Sequence, residues 1–181
     1  MPEAPTDIQA YLEKHIRNIP DFPKPGIQFK DITPLLLDSK SFQIIPENLI
    51  LPFKSGKIDY IAGIESRGFL YGTLMASQLG AGFITVRKPG KLPAETINAE
   101  YELEYGTDEL QMHKDAIKPG SKVIIHDDLI ATGGSAAAAA ELIQQSGGQV
   151  AGYSFIMELG FLNGRDKLKE YGPVHSLICY K

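Results

Sequence analysis

The chain has 181 residues, 43% of them hydrophobic and 22% charged, with a formal net charge of −4. That length suits a single domain with a sizeable core, and the composition excludes a disordered chain. The acidic balance argues against general nucleic-acid binding, which needs a basic face, so an anionic ligand must meet locally gathered Lys and Arg. From the N-terminus, residues 1–5 are expected to fray. No apolar leader opens the sequence and no apolar run spans a bilayer, which predicts a soluble, cytoplasmic protein without membrane contact. Thr6-Asp7-Ile8-Gln9 reads as a capping box, and Ile8, Tyr11, Leu12 and Ile16 form one face of a helix ending near Arg17. Pro20, Pro23 and Pro25 exclude regular helix and central strand. An extended segment, 27–33, follows. Its Phe29 alternates with Ile27 and so suits the core, but a rigid Pro-rich loop holding an aromatic ring also suits stacking a flat base.

Another helix begins near Ser39 or Ser41, with Pro46 kinking it or delaying its start. Residues 58–64 are the first clear strand. They run into Glu65-Ser66-Arg67-Gly68 and a helix over 69–78. The strand at 82–88 ends in Arg87-Lys88, which alone reads as a solvated strand end. Two successive strand ends offering cations match an open parallel sheet, which binds ligands beyond the carboxyl ends of its strands. From Pro89 to Gly106 there is little helical pattern. Tyr101, Leu103 and Tyr105 alternate with Glu100, Glu102 and Glu104, predicting a β-hairpin with a second strand around 109–114. Such an excursion between core strands is typical of an active-site cover.

The densest signal is Val123-Ile124-Ile125-His126-Asp127-Asp128-Leu129-Ile130-Ala131-Thr132-Gly133-Gly134-Ser135, followed by Ala136 to Ala140. It reads as an apolar strand ending in two acids, then a small-residue turn opening a helix. Free N–H groups and the positive end of a helix dipole make that turn an anion site, and phosphate is the usual anion. The acids cannot serve phosphate. They fit sugar hydroxyls, or magnesium through water. The pattern therefore suggests a sugar phosphate with vicinal hydroxyls. His126, inside the strand, reads as a core residue. The helix runs to Gln145 and stops at Gly147-Gly148. A strand over 149–158, a short polar helix from Asn163 or Arg165 to Tyr171 and a last strand over 174–180 complete the chain. Cys179, the lone cysteine, permits no intrachain disulfide and is expected as a small hydrophobe in that strand. No zinc spacing, Walker A or G-x-G-x-x-G motif appears, which argues against a nucleoside triphosphatase or a Rossmann dehydrogenase.

The 123–135 run resembles the signature of the type I phosphoribosyltransferases, which bind 5-phosphoribosyl 1-diphosphate. Pro23-Lys24-Pro25-Gly26-Ile27-Gln28-Phe29-Lys30-Asp31-Ile32, Glu65-Ser66-Arg67-Gly68-Phe69, Val86-Arg87-Lys88-Pro89-Gly90-Lys91-Leu92-Pro93 and Tyr101-Glu102-Leu103-Glu104-Tyr105-Gly106 resemble, in order and spacing, the adenine-using branch of that family. Lys30 stands where Arg is usual, and Ser135 where Thr is common. The resemblance implies an α/β fold: an open, mainly parallel five-stranded sheet flanked by helices. It also implies one domain over 1–181, an N-terminal hood over 1–35 and a flexible β-hairpin lid over 89–106. The implied reaction joins adenine to 5-phosphoribosyl 1-diphosphate, giving AMP and pyrophosphate with Mg2+ held mainly by substrate and water.

Residue roles follow from the resemblance. Asp127 and Asp128 would hold the ribose hydroxyls, and Ala131, Thr132, Gly133, Gly134 and Ser135 the 5-phosphate. Glu65, Ser66 and Arg67 would hold the diphosphate, in a turn that carries a cis peptide ahead of the Arg. Lys88 and Lys91 would add charge there, and Tyr105 would close over it. Arg87 would reach a neighbouring subunit's site, which implies a homodimer. Phe29 would stack adenine against Leu129 (or Ile130), with backbone groups around Gln28 and Lys30 reading the base edge. Glu104 would accept or shuttle the proton of the attacking ring nitrogen. Two rivals stay open at this point: a 6-oxopurine phosphoribosyltransferase, in which the Lys30 ammonium meets the 6-oxo group, and a non-catalytic sensor of the same fold.

Overall fold

The computed structural model describes residues 8–102 and 106–181. Helix α1 (Ile8–His15) leads into strands β1 (Arg17–Pro20) and β2 (Gln28–Asp31), which pair antiparallel with Arg17 opposite Asp31 and Pro20 opposite Gln28. The Pro-rich stretch is thus the loop of a small hairpin. Strand β1 was not expected beside so many prolines. Pro20 is tolerated because this ribbon has only two strands, so a missing N–H interrupts no inner ladder. Helix α2 (Thr33–Leu37) was also unexpected, and carries Pro34 in its first turn, where no N–H is needed. Helix α3 (Ser41–Ile50) contains Pro46 yet starts at Ser41, so the proline does not delay it.

Strand β3 (Tyr60–Ile64), helix α4 (Gly68–Leu79) and strand β4 (Gly82–Val86) form a β-α-β unit whose two strands pair parallel in the main sheet. Strands β5 (Thr96–Glu102) and β6 (Thr107–His113) form the anticipated hairpin. Strand β7 (Lys122–Ile130), helix α5 (Gly134–Gln145), strand β8 (Gln149–Leu159), helix α6 (Gly164–Leu168) and strand β9 (Val174–Tyr180) finish the fold. The main sheet is parallel throughout, in the order β4-β3-β7-β8-β9. The chain therefore winds outward from β3 to β4, returns to pair β7 with β3, and winds the other way. The switch point lies between β3 and β7, where the crevice of an open α/β sheet opens.

Period-2 alternation along β7 feeds two cores. Val123 and Ile125 face α5 with Ala136, Ala139, Leu142 and Phe155, whereas Ile124 faces α1, α3 and α4 with Leu12, Leu49, Tyr71 and Met75. The alanine run lets α5 lie close to the sheet. The hairpin does not stand free. Ala99, Leu110 and Met112 are buried in the α5-side core, and Arg87 bridges to Gln111. Within the segment expected as a lid, 89–106, Ala99 is thus packed on the core. Cys179 lies on β9 as expected, but its side is exposed, because Leu177 and Ile178 supply the buried positions. No helix among the described residues is long and apolar enough to cross a membrane.

Candidate active site

The carboxyl ends of β3 and β7 bring two motifs together at the switch point. Asp128 is 1% exposed, and its Oδ2 lies 3.1 Å from Arg67 Nε. Asp127 Oδ1 accepts the Asp128 amide at 2.9 Å. Burial pushes both carboxyls above the usual carboxylate range. The neighbouring Asp128 charge adds to the rise at Asp127, and Arg67 opposes the rise at Asp128. Two acids left this poorly solvated are primed to accept hydroxyl donors. The first residue of α4 fixes their place: a Cβ on Gly68 would lie 2.6 Å from the His126 carbonyl oxygen and 3.2 Å from Asp127 Oδ1. His126 itself is fully buried, with Nδ1 2.7 Å from the Ser154 carbonyl oxygen, and burial lowers its pKa to about 4. It is a neutral core histidine, as its place in the strand predicted.

Beyond the acids, residues 131–135 curl into α5. Gly133 adopts φ +80°, and no side chain caps the helix, so its first N–H groups stay open for an anion. The cradle has a backing that sequence reasoning missed. A Cβ on Gly164 would overlap the Ala131 carbonyl oxygen and come 2.8 Å from Gly133 N. The start of α6 therefore presses backbone to backbone on the turn. Its only sequence trace is Asn163-Gly164, with Asn163 left-handed at φ 53°. From the other side the hairpin approaches: a Cβ on Gly134 would lie 3.2 Å from Tyr101 Cδ2 and 3.3 Å from the Glu102 carbonyl oxygen. Leu103, Glu104 and Tyr105 lie outside the described residues, and so do the roles expected of Glu104 and Tyr105.

The turn at 65–67 carries a cis peptide between Glu65 and Ser66. Arg67, besides meeting Asp128, places its guanidinium carbon 5.1 Å from the Phe29 ring centroid. Phe29 is also braced edge-on by Phe22 at 5.1 Å. Arg67 thus spans from the acid pair to the aromatic platform. Of the two residues considered opposite Phe29, Ile130 is buried in the α5-side core, whereas Leu129 is only partly buried. Among the described residues strand β2 has β1 as its sole strand partner, so one backbone edge of Gln28–Asp31 carries N–H and C=O groups outside the ribbon's ladder. Lys30 turns its ammonium onto the Tyr180 ring, 4.1 Å from the centroid.

Three charged residues expected at the diphosphate, Glu65, Arg87 and Lys88, have partners within the chain. Arg87 Nε and Nη2 each donate at 3.1 Å to the two carboxylate oxygens of Glu65, and Nη1 donates to the Lys91 carbonyl at 3.2 Å. Glu65 also accepts the Lys88 amide at 3.1 Å, and the Arg87 guanidinium holds its carboxyl below the usual range. Arg87 is therefore hydrogen-bonded within its own chain. A mostly buried carboxylate at this strand end needs a bidentate partner, and Arg87 is the one in reach. Lys88 Nζ bonds the Tyr101 hydroxyl at 3.1 Å and pairs with Asp108, which also accepts the Tyr101 hydroxyl at 3.0 Å. Lys91 is exposed. Among the described residues no three His, Cys, Asp or Glu side chains gather to hold a metal ion. The Asp127-Asp128 pair offers carboxylates beside the cradle. That donor set suits a cation that keeps its waters and takes its other ligands from phosphate.

Comparison with known proteins places this arrangement. Residues 38–174 match the family described as phosphoribosyl transferase domain. The chain is 54% identical over 174 residues to the adenine phosphoribosyltransferase of Sorangium cellulosum, covering 94% of this chain and 87% of that protein. The crystal structure of adenine phosphoribosyltransferase from Rhodothermus marinus superposes with a TM-score of 0.91 at 49% identity, covering 95% of this chain and 98% of that one. The Saccharomyces cerevisiae enzyme, complexed with adenine and an imino-altritol bisphosphate, gives 0.88 at 48% identity, covering 93% and 97%.

Proposed function

Because the chain belongs to the phosphoribosyl transferase family, within its adenine phosphoribosyltransferases, we propose the following division of labour for its site. The activity is that of a glycosyltransferase: the 5-phosphoribosyl group of 5-phosphoribosyl 1-diphosphate passes to adenine, giving AMP and pyrophosphate in purine salvage. The relatives reported above carry the adenine activity, which decides against the 6-oxopurine and sensor readings. The observation that carries the reading is an acid pair and an uncapped helix start meeting at the switch point, beside an aromatic platform. Incubating the protein with adenine, 5-phosphoribosyl 1-diphosphate and magnesium is expected to yield AMP. Hypoxanthine consumed in preference to adenine would overturn the assignment.

Asp127 and Asp128 accept the ribose hydroxyls, and the amides of residues 131–135 hold the 5-phosphate. Phe29 and Leu129 sandwich adenine, whose 6-amino donor and ring-nitrogen acceptor meet a C=O and an N–H of the free β2 edge around Gln28 and Lys30. Transfer at the anomeric carbon passes through an oxocarbenium-like state, so the leaving diphosphate needs stabilising cations. Arg67 supplies one, with Lys91 beside it and Lys88 once it lets go of Asp108. Mg2+, held mainly by substrate and water near Asp127 and Asp128, supplies further charge neutralisation when bound. Glu65 and Arg87 act as the clamp that sets the 65–67 turn. Tyr105 closes over the diphosphate.

Glu104 takes the proton of the attacking nitrogen. Glu104→Gln is expected to lower kcat by about a hundredfold, the usual size of a general-base loss, with near-normal affinity for the sugar diphosphate. Unchanged turnover would remove Glu104 from the mechanism. Arg67 gives an order to binding. Its guanidinium covers the Phe29 face that adenine needs, and a bound diphosphate draws it away. Calorimetry is expected to show adenine binding at least tenfold more tightly with a pyrophosphate-bearing sugar present, a factor equal to about 1.4 kcal/mol. Equal affinity with and without it would contradict this role.

We also propose a homodimer and a cytoplasmic location. Leu37, Phe42 and Leu70, exposed at 87%, 39% and 38% on α2, α3 and α4, support the first. Sedimentation is expected to report twice the 19.8 kDa chain mass, and a single species at that mass would contradict it. One exposed free cysteine, Cys179, supports a reducing compartment.

A further inference from the structure

Side chains alternate across β2, so Phe29 lies on one face of the strand and Gln28 and Lys30 on the other. Gln28, Lys30 and Tyr180 border a mostly apolar cavity of about 550 Å³, which Leu159 and Phe161 also line. Inside it the Lys30 ammonium rests 4.1 Å from the centre of the Tyr180 ring. The ring is a weak partner compared with a carboxylate, but it has a direction: it holds a cation on its face and cannot take its proton. Lys30 is also the residue whose backbone meets the base in the reading above. Its flexible four-carbon stem therefore pivots where purine selection occurs.

Adenine presents a donor at position 6 and an acceptor at the adjacent ring nitrogen. A 6-oxopurine presents the reverse. A rigid backbone C=O and N–H pair therefore refuses the 6-oxo base, because two like groups face each other and both are left unpaired. A free ammonium swinging at that edge would undo the refusal by donating to the 6-oxo group. We propose that Tyr180 is a specificity-positioning residue: its ring holds the Lys30 ammonium off the base edge, so that backbone alone reads the purine. The inference rests on the reading that the β2 edge reads adenine. It assigns to the last strand of the sheet a task in selecting the base.

The test is the ratio of kcat/KM for adenine to that for hypoxanthine, measured on the full chain. Tyr180→Leu is expected to lower the ratio about tenfold, by a gain with hypoxanthine, as one charge-assisted hydrogen bond would give. Tyr180→Phe keeps a ring and is expected to hold the ratio. Adding Lys30→Met to Tyr180→Leu is expected to restore it. Fluorinated phenylalanines at position 180 keep shape while weakening the ring's hold on a cation, and are expected to lower the ratio stepwise even if the leucine variant folds poorly. A ratio that stays constant through the fluorinated series would overturn the proposal. So would parallel losses with both bases, which is what a mere tether between the β1–β2 hairpin and β9 would produce. A wild-type protein that makes no AMP from adenine would instead sink the reading beneath it.

Discussion

Asp127→Asn is expected to lower kcat/KM for 5-phosphoribosyl 1-diphosphate by about a hundredfold while raising the melting temperature near neutral pH. The first effect follows from hydroxyls donating to a carboxylate, each such bond contributing roughly 1.5–3 kcal/mol. The second follows from the site's electrostatics. Burial and the Asp128 charge push the Asp127 carboxyl upward, so the fold disfavours its ionised form. A group with a raised folded pKa contributes stability that is complete below its unfolded value, about 3.9, and is lost as pH rises through the folded one. At neutral pH the ionised acid is therefore a cost to the fold, and the neutral amide removes it. The midpoint is expected to rise by about 2–4 °C for each kcal/mol relieved in a chain of this size. The gain is expected to vanish near pH 3, where the wild-type acid is also protonated. The same titration predicts that sugar-diphosphate affinity weakens as pH falls through the raised pKa, because a protonated carboxyl accepts fewer hydroxyl bonds. Scanning calorimetry across pH checks the sign, and a variant less stable than wild type at neutral pH would contradict it.

Gly164→Ala is expected to damage the phosphate cradle without touching any ligand. The added methyl overlaps the Ala131 carbonyl oxygen and lies 2.9 Å from its carbon, with Gly133 N at 2.8 Å. All three are backbone atoms, so no side chain can turn aside. Either α6 retreats or the 131–133 turn deforms. Forcing one methyl into such a contact typically costs about 1–3 kcal/mol of stability. The functional loss is expected mainly in KM for the sugar diphosphate, by about tenfold or more, because the amides lose their common focus. Gly133 offers a check: its φ of +80° already disfavours any side chain, so Gly133→Ala is expected to lose sugar-diphosphate affinity in the same way. Normal KM in Gly164→Ala would show that the α6 contact does not shape the cradle.

Local pattern carried much of this architecture. The strands read at 58–64, 82–88, 149–158 and 174–180 fall on β3, β4, β8 and β9 within a few residues, and the acid pair and small-residue turn fall where β7 meets α5. What local pattern could not carry is contact between distant segments. Nothing in Asn163-Gly164 points to Ala131, because the contact forms only when α6 folds back over the turn. Arg87 could not be assigned to Glu65 from sequence, since a strand-end cation finds its partner across the sheet. The hairpin read as an open cover because its glutamates dominate the pattern, while Ala99, Leu110 and Met112 bury the opposite face. Strand β1 was hidden by Pro20, which an edge position forgives. Cys179 read as buried from residue type, whereas on β9 it is exposed and the neighbouring Leu177 and Ile178 are buried.

These residues form one account only if the sugar sits where β7 ends. Crystals grown with 5-phosphoribosyl 1-diphosphate and magnesium test this most directly. The expected density has the 5-phosphate on the amides of residues 131–135, the 2- and 3-hydroxyls on Asp127 and Asp128, and the diphosphate toward Arg67, now lifted from Phe29. A ligand ordered anywhere else, or one whose hydroxyls point away from both acids, would contradict it.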